Sequence, residues 1–249
     1  MNKNVLFMDI GNTTITLGFK SSRGNIAGVR KFQSQDLGAC KSFIKKLKGI
    51  ERIFLVSVYP ELTEKLSRIF KEAFSNIEII EAGKDVEIPI KNRYKNPSAL
   101  GRDRLLNAFY VREKFGCPAV CVDVGTAVTI DLISKQGEFL GGIIFPGFKL
   151  CLEALSDKTA ILPYVDIKKY RKTYGNTTEQ CMILGVIKGI STLIGRVIEE
   201  YQKKYNNPLN KVITGGDVSL IDSSIKREFH HVSYLSLNAL RLIYSKIFV

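Results

Sequence analysis

Two short runs hold the residues best suited to chemistry. Asp9-Ile10-Gly11-Asn12-Thr13-Thr14-Ile15-Thr16 and Asp123-Val124-Gly125-Thr126-Ala127-Val128-Thr129-Ile130 each follow an apolar stretch, residues 5–8 and 119–122. Glycine lets the backbone bend sharply and approach a ligand closely. Exposed N–H groups, with the hydroxyls of Thr13, Thr14 and Thr126, can hydrogen-bond phosphate oxygens, and the aspartates can hold a cation that offsets phosphate charge. Two facing copies would grip a nucleotide triphosphate tail from both lobes. Asp, Asn and Gly are also ordinary turn residues, so one copy alone would read as a plain hairpin. Recurrence directly after an apolar strand favours the phosphate site. No Gly-x-x-x-x-Gly-Lys-Ser/Thr pattern competes.

Three further runs stand out. Asn96-Pro97-Ser98-Ala99-Leu100-Gly101-Arg102-Asp103-Arg104 opens a helix. The helix macrodipole favours an ionised Asp103 in the first turn, and Arg104 offers a planar fork for a substrate carboxylate. A capped helix start with an acidic first turn would look the same. Gly137-Glu138-Phe139-Leu140-Gly141-Gly142-Ile143-Ile144-Phe145-Pro146-Gly147 implies tight backbone geometry beside an apolar strand, either for packing or for a ligand-facing loop. Val212-Ile213-Thr214-Gly215-Gly216-Asp217 is a strand ending in Gly-Gly, suited to a flat ligand such as adenine or to a strand-to-helix turn.

The elements that must position these runs follow from periodicity. Each Asp-x-Gly run reads as strand, tight turn, strand. Residues 37–47 have helical spacing, residues 52–58 form a buried-type strand, residues 61–74 are helical and residues 77–80 form a short strand. A polar stretch, residues 91–97, leads into a helix running to about Lys114, with Pro97 turning the chain before it. Helical patterns recur at residues 150–155, 178–205 and 237–248. The two runs, 114 residues apart, are copies of an internal repeat. The expected fold is α/β with mixed sheets, in two lobes, 1–115 and 116–249.

Composition bounds the rest. A chain of 249 residues, 45% hydrophobic, can bury a sizeable core. The apolar run before Asp9 is too short for a signal peptide. No stretch approaches the roughly 20 apolar residues of a membrane span. These features point to the cytoplasm. Cys40, Cys117, Cys121, Cys151 and Cys181 are odd in number, form no Cys-x-x-Cys pair and read as buried free thiols. His230 and His231 lie far from them in sequence, which argues against zinc. The net charge of +13 suits anionic ligands. Basic residues are scattered in short groups, such as Lys45-Lys46-x-Lys48 and Lys168-Lys169-x-Arg171-Lys172, with no nucleic-acid-binding motif, which argues against a nucleic-acid role.

Taken in order, the motifs resemble a known family. The two Asp-x-Gly turns look like the phosphate motifs of the acetate kinase, sugar kinase, Hsp70 and actin superfamily, with its actin-like (ribonuclease H-like) lobes. Within it, Asn-Pro-x-x-Leu-Gly-x-Asp-Arg at residues 96–104, paired with Asp-x-Gly-Thr-Ala-x-Thr-x-Asp at residues 123–131, resembles the type III pantothenate kinases. Gly141-Gly142, Pro146-Gly147, Asn176-Thr177-Thr178 and Thr214-Gly215-Gly216-Asp217 look like that family in its order. The resemblance implies ATP-dependent phosphorylation of pantothenate at its primary hydroxyl, the entry step of coenzyme A synthesis. It implies that Asp103 is the proton acceptor and that Gly101, Arg102, Asp103 and Arg104 line the pantothenate site, with Tyr94 and Thr178 as further contacts. Thr177 competes with Thr178 for that place; counting back from Gly185 favours Thr178. Asp9, Ile10, Gly11, Asn12, Thr13, Thr14, Ile15 and Thr16, with Thr126, would bind ATP. Asp123 would hold the monovalent cation, potassium or ammonium, used beside Mg²⁺. The family also implies a homodimer with the substrate site near the subunit interface.

Two other functions fit the same fold. A kinase-derived regulator would have lost motif residues, yet Asp9, Asp103, Arg104, Asp123 and Thr126 all remain. A kinase for another small acid or sugar is opposed only by the segment 96–104.

Overall fold

The computed structural model describes residues 4–21, 24–168 and 172–248. Met1–Lys3, and Lys169 and Arg171 of the basic group noted above, lie outside the described residues. In chain order the elements are β1 (Asn4–Ile10), β2 (Thr14–Lys20), β3 (Ile26–Gln33), α1 (Leu37–Ile44), β4 (Ile50–Ser57), α2 (Pro60–Ala73), β5 (Glu78–Glu81) and α3 (Arg102–Phe115). They continue with β6 (Ala119–Val124), β7 (Ala127–Ile133), β8 (Phe139–Pro146), α4 (Phe148–Asp157), α5 (Thr178–Gln202), β9 (Asn210–Thr214), α6 (Ser223–Lys226), β10 (His230–His231) and α7 (Leu235–Phe248). Two compact units result: Met1–Ile90, Asn96–Tyr110 and Tyr234–Val249 make the first, Lys91–Lys95 and Val111–Ser233 the second. Relative to a division at residue 115, α7 groups with the first unit because it packs on β1 and β4.

The first unit is a five-stranded sheet in the order β3-β2-β1-β4-β5. β1 runs antiparallel to β2 and parallel to β4. Val5, Leu6, Phe7 and Met8 of β1 are all buried, as a central strand covered on both faces requires. One face packs on α1 and α2. Pro60 opens α2 at a position where its missing N–H costs nothing. Leu62, Leu66 and Phe70, four residues apart, form its buried stripe. Leu66 and Phe70 are fully buried, each contributing about 1.5–3 kcal/mol. On the other face the Phe7 and Phe54 rings meet Tyr244 of α7 edge-on at 5.8 and 5.7 Å.

The second unit repeats the plan. Its sheet is ordered β10-β9-β6-β7-β8, with β6 antiparallel to β7 and parallel to β9. Read from β8, it has the strand order of the first sheet, so the duplication expected from the Asp-x-Gly repeat is a duplication of topology. The copies differ in one residue. Asp9 pairs across the ladder with Thr16, seven positions on, whereas Asp123 pairs with Thr129, six positions on. The second turn is therefore one residue shorter, and the gapless sequence match slips after the turn.

α5 corrects one reading of the sequence. It is, by length and composition, long and apolar enough to cross a membrane. One face of it, from Met182 through Ile190 to Ile198, is buried in the core of the second unit with Val122, Ile130 and Phe148, as in the central helix of a folded domain. The cysteines also divide. All five are free, but only Cys40 and Cys121 are buried; Cys181, in the first turn of α5, is exposed, which corrects the expectation of buried thiols there.

Candidate functional site

In the first unit the turn between β1 and β2 is held by backbone bonds. The Gly11 N–H donates to the Thr14 carbonyl (2.9 Å). Ser34, just after β3, closes the turn from outside: its hydroxyl donates to the Gly11 carbonyl (2.9 Å) and its N–H to the Thr13 carbonyl (2.8 Å). Asn12 and Thr13 at the tip are exposed, whereas Ile10 and Ile15 are fully buried. Those two isoleucines can offer a ligand only their backbone. Thr16 is also buried.

Asp9, the last polar residue of β1, accepts a hydrogen bond from the Ser236 hydroxyl in the first turn of α7. Burial pushes the Asp9 carboxyl up to about 6; Ser236 and Lys31 oppose the rise, and the Asp103 charge adds to it. Asp9 and Asp103 are thus brought close enough to repel. Asp103 Oδ1 accepts from the Arg104 N–H (2.8 Å), which holds the carboxylate over the first turn of α3. Burial raises the Asp103 carboxyl as well, with the Arg104 N–H and charge opposing. The sequence argument from the helix dipole alone missed this opposing effect of burial. Arg104 itself is buried, so it is not an open surface fork; its charge bears on Asp103. Arg102 is ion-paired with Glu81. A Cβ on Gly101 would crowd Asp103 Oδ1 at 2.5 Å, so glycine there leaves room for that carboxylate.

In the second unit three glycine segments converge on the end of β6. The Gly125 N–H donates to the Ala127 carbonyl (3.1 Å). The Gly147 N–H donates to the Thr126 carbonyl (2.9 Å), and a Cβ on Gly147 would overlap the carbonyl oxygens of the turn. Gly215, at φ +112°, lies so close to Val124 that any side chain would overlap its carbonyl, and the Asp217 N–H donates to that carbonyl (3.0 Å). Pro146-Gly147 and Gly215-Gly216, left open by sequence, therefore support the Asp123-Val124-Gly125-Thr126 turn, whereas Gly142 lies against Ile130 and Asp131 of β7. Asp123 has Thr129 on one neighbouring strand and Thr214 on the other, a row of oxygen-bearing side chains. Thr126 is exposed.

Tyr94 sits on β8 by way of a strap. Asn92 bridges to Phe139, the Arg93 N–H donates to the Phe139 carbonyl (2.9 Å), and the Tyr94 N–H donates to Asn92 Oδ1 (2.9 Å). The Tyr94 ring lies 6.3 Å from that of Phe139 and against Gly141, where a Cβ would touch it at 3.6 Å. At the start of α5, the Thr177 hydroxyl accepts from the Gln180 N–H (3.2 Å) as N-cap. Its oxygen is engaged, whereas the exposed Thr178 has no such duty. A cavity of about 510 Å³, lined by Leu55, Thr63, Ser67, Arg68, Ile79 and Lys84 among others, contains none of the motif residues.

Sequence reasoning missed three contributors. Lys31 joins the Asp9–Thr16 row across β3, Ser236 reaches Asp9 from 227 residues away, and Glu138 anchors the strap through Arg93 and Lys91. None has a spacing signature, because each acts through sheet register or chain return.

Two mixed sheets of one strand order, each with an Asp-x-Gly turn after its first strand, define an actin-like, ribonuclease H-like fold. The same fold occurs in a Campylobacter jejuni protein assigned to the Baf family of transcriptional activators, with a TM-score of 0.61 at 20% identity over 97% of this chain and 98% of that one. It also occurs in the activator of the 2-hydroxyisocaproyl-CoA dehydratase from Clostridium difficile, solved with bound ADPNP, with a TM-score of 0.53 at 11% identity over 98% and 95% of the two chains. The chain belongs to the type III pantothenate kinase family, whose model matches residues 5–200. It is 34% identical to the type III pantothenate kinase of Persephonella marina over 97% of this chain and 98% of the relative. It is 31% identical to that of Sulfurihydrogenibium sp. over 95% and 97%.

Proposed function

We infer that this chain uses ATP to phosphorylate pantothenate to 4'-phosphopantothenate, the first step of coenzyme A biosynthesis. The observation that carries this is the match to type III pantothenate kinases along almost the whole chain. The Asp9 turn, residues 9–16, and Thr126 bind the nucleotide. Gly101, Arg102, Asp103 and Arg104, with Tyr94 and Thr178, bind pantothenate. In the transfer, the pantothenate hydroxyl oxygen forms a bond to the γ-phosphorus as the bond to the β–γ bridging oxygen breaks. The hydroxyl proton passes to Asp103, and ADP leaves. A weak carboxylate base suffices, because phosphoryl transfer depends chiefly on positioning and charge neutralisation.

The residues fit the cations that this chemistry needs. Asp9 is a carboxylate with a raised pKa and a hydroxyl partner, and Asp103 repels it. That local excess of negative charge suits Mg²⁺, which takes one or two carboxylates and completes its shell with phosphate and water. Among the described residues no cluster of three or more His, Cys, Asp or Glu forms a metal cage. When bound, Mg²⁺ neutralises charge on the phosphates. Asp123, between Thr129 and Thr214, holds the monovalent cation, potassium or ammonium. The lobes 1–115 and 116–249 are the duplicated halves, with α7 returning to the first.

The protein works as a homodimer in the cytoplasm, where its free thiols stay reduced, and its basic surface serves anionic substrates rather than nucleic acid. The edge strand β8 and the start of α4 expose Leu140, Ile144, Phe145 and Leu150, an apolar edge of the kind that a second copy covers. The function is tested by measuring ATP turnover with and without pantothenate. Dependence on pantothenate, with stimulation by potassium or ammonium over sodium, is expected; turnover indifferent to pantothenate would contradict it.

A further inference from the structure

We propose that Ser236 is a positioning residue that fixes the Asp9 carboxylate for the magnesium–nucleotide complex, making the C-terminal helix part of the phosphate machinery. The proposal rests on the reading of the Asp9 turn as the nucleotide site. Among the described residues, the Ser236 hydroxyl is the one hydrogen-bond donor to the Asp9 side chain, and it engages Oδ2. The strand neighbours of Asp9 are Thr16 and Val56, neither of which is charged. A carboxylate with one oxygen engaged by a hydroxyl is fixed in rotation and presents the other oxygen to a cation. Carboxylates that ligate metals are regularly held in this way.

The local backbone is built to deliver that hydroxyl. Tyr234 has φ 53°, the only positive φ at a non-glycine residue among those described. Side chains rarely adopt this conformation without support. Here the Asn238 side chain and N–H both donate to the Tyr234 carbonyl at 3.1 Å, and the exposed Tyr234 ring lies 5.3 Å from Lys31 Nζ. Ser236 follows two residues on, with the buried Leu235 and Leu237 on either side of it. They anchor the first turn of α7 so that the serine between them meets Asp9.

The test is calorimetric titration of ADP, with Mg²⁺ and with chelator, into the wild-type chain and four variants. Ser236→Ala should weaken MgADP about tenfold, the usual scale for losing a partner of a metal-binding carboxylate, and leave metal-free ADP unchanged. Ser236→Thr, which keeps the hydroxyl, should restore MgADP binding. Ser236→Cys keeps the volume but donates weakly and should resemble Ala, so a folding defect in one variant does not shelter the claim. Asp9→Asn is the control for the underlying reading. If it leaves MgADP binding intact, Asp9 is not at the nucleotide site and both claims fall. If it weakens MgADP while Ser236→Ala and Ser236→Cys do not, or if these lose metal-free ADP equally, only the role of Ser236 is overturned.

Discussion

Asp103 is held by its own helix: the Arg104 N–H caps Oδ1, and the buried Arg104 lies beside it. Asp103→Asn keeps the shape and removes the proposed proton acceptor. Turnover should fall by about 10²–10⁴-fold while ADP binding stays near wild type; near-full turnover would reduce Asp103 to a helix-start residue. Acid pH should act on the same pair. Burial raises Asp9 from 3.8 to about 6 and raises Asp103 as well. A carboxyl with a raised folded pKa binds its proton more tightly in the folded state. Folding therefore gains from Asp9 as pH falls from about 6 toward 3.8, and from Asp103 in the same direction. Activity should go the other way, since the proposed cation binding and proton acceptance both need the ionised form. The acid limb of kcat/KM should accordingly lie well above the ordinary carboxylate range; a profile flat down to about 4 would contradict it. At this scale the motif residues were legible because turn chemistry is local. Ser236 and Lys31 were not, because only register and chain return bring them to Asp9.

Among the elements, β8 and its strap are the most consequential. Glu138 accepts from Arg93 Nε and Nη2 at 3.0 and 2.8 Å and pairs with Lys91 at 3.0 Å. These partners hold its carboxyl down at about 2. A depressed acid stabilises the fold above its unfolded pKa. This contribution is complete above 4.5 and is lost as pH falls from there through about 2. Glu138→Gln should free the strap that carries Tyr94. The KM for pantothenate should rise about two- to fivefold, the scale of a partly exposed ion pair, with kcat changed less. An unchanged KM would mean that Tyr94 is placed without the clamp. The long elements were readable from periodicity: α2 and α5 fall within a few residues of expectation. β3 was not, because Ile26-Ala27-Gly28-Val29-Arg30-Lys31-Phe32-Gln33 is an edge strand with mixed exposure and a Gly28 at φ 62°. β8 was seen only as glycine pairs beside an apolar strand, although those glycines prove to be the packing surfaces for Tyr94 and for the second Asp-x-Gly turn.

For the whole molecule, duplication was legible from two short motifs, and the repeated strand order bears it out. The return of α7 to the first unit was not, since helical periodicity says nothing about which sheet a helix covers. The exposed edge of β8 bears on assembly. Ile144, 60% exposed, should lie in the dimer contact. Ile144→Asp should shift sedimentation at micromolar protein from dimer to monomer, and a wild-type monomer under the same conditions would contradict the dimer. The central claim is tested most directly by incubating the wild-type chain with ATP, Mg²⁺ and potassium, with and without pantothenate, and following ADP and phosphopantothenate together. One phosphopantothenate per ADP, with little ADP formed when pantothenate is omitted, is the predicted result. ADP release at the same rate without pantothenate, or no phosphopantothenate under potassium or ammonium, would contradict the account.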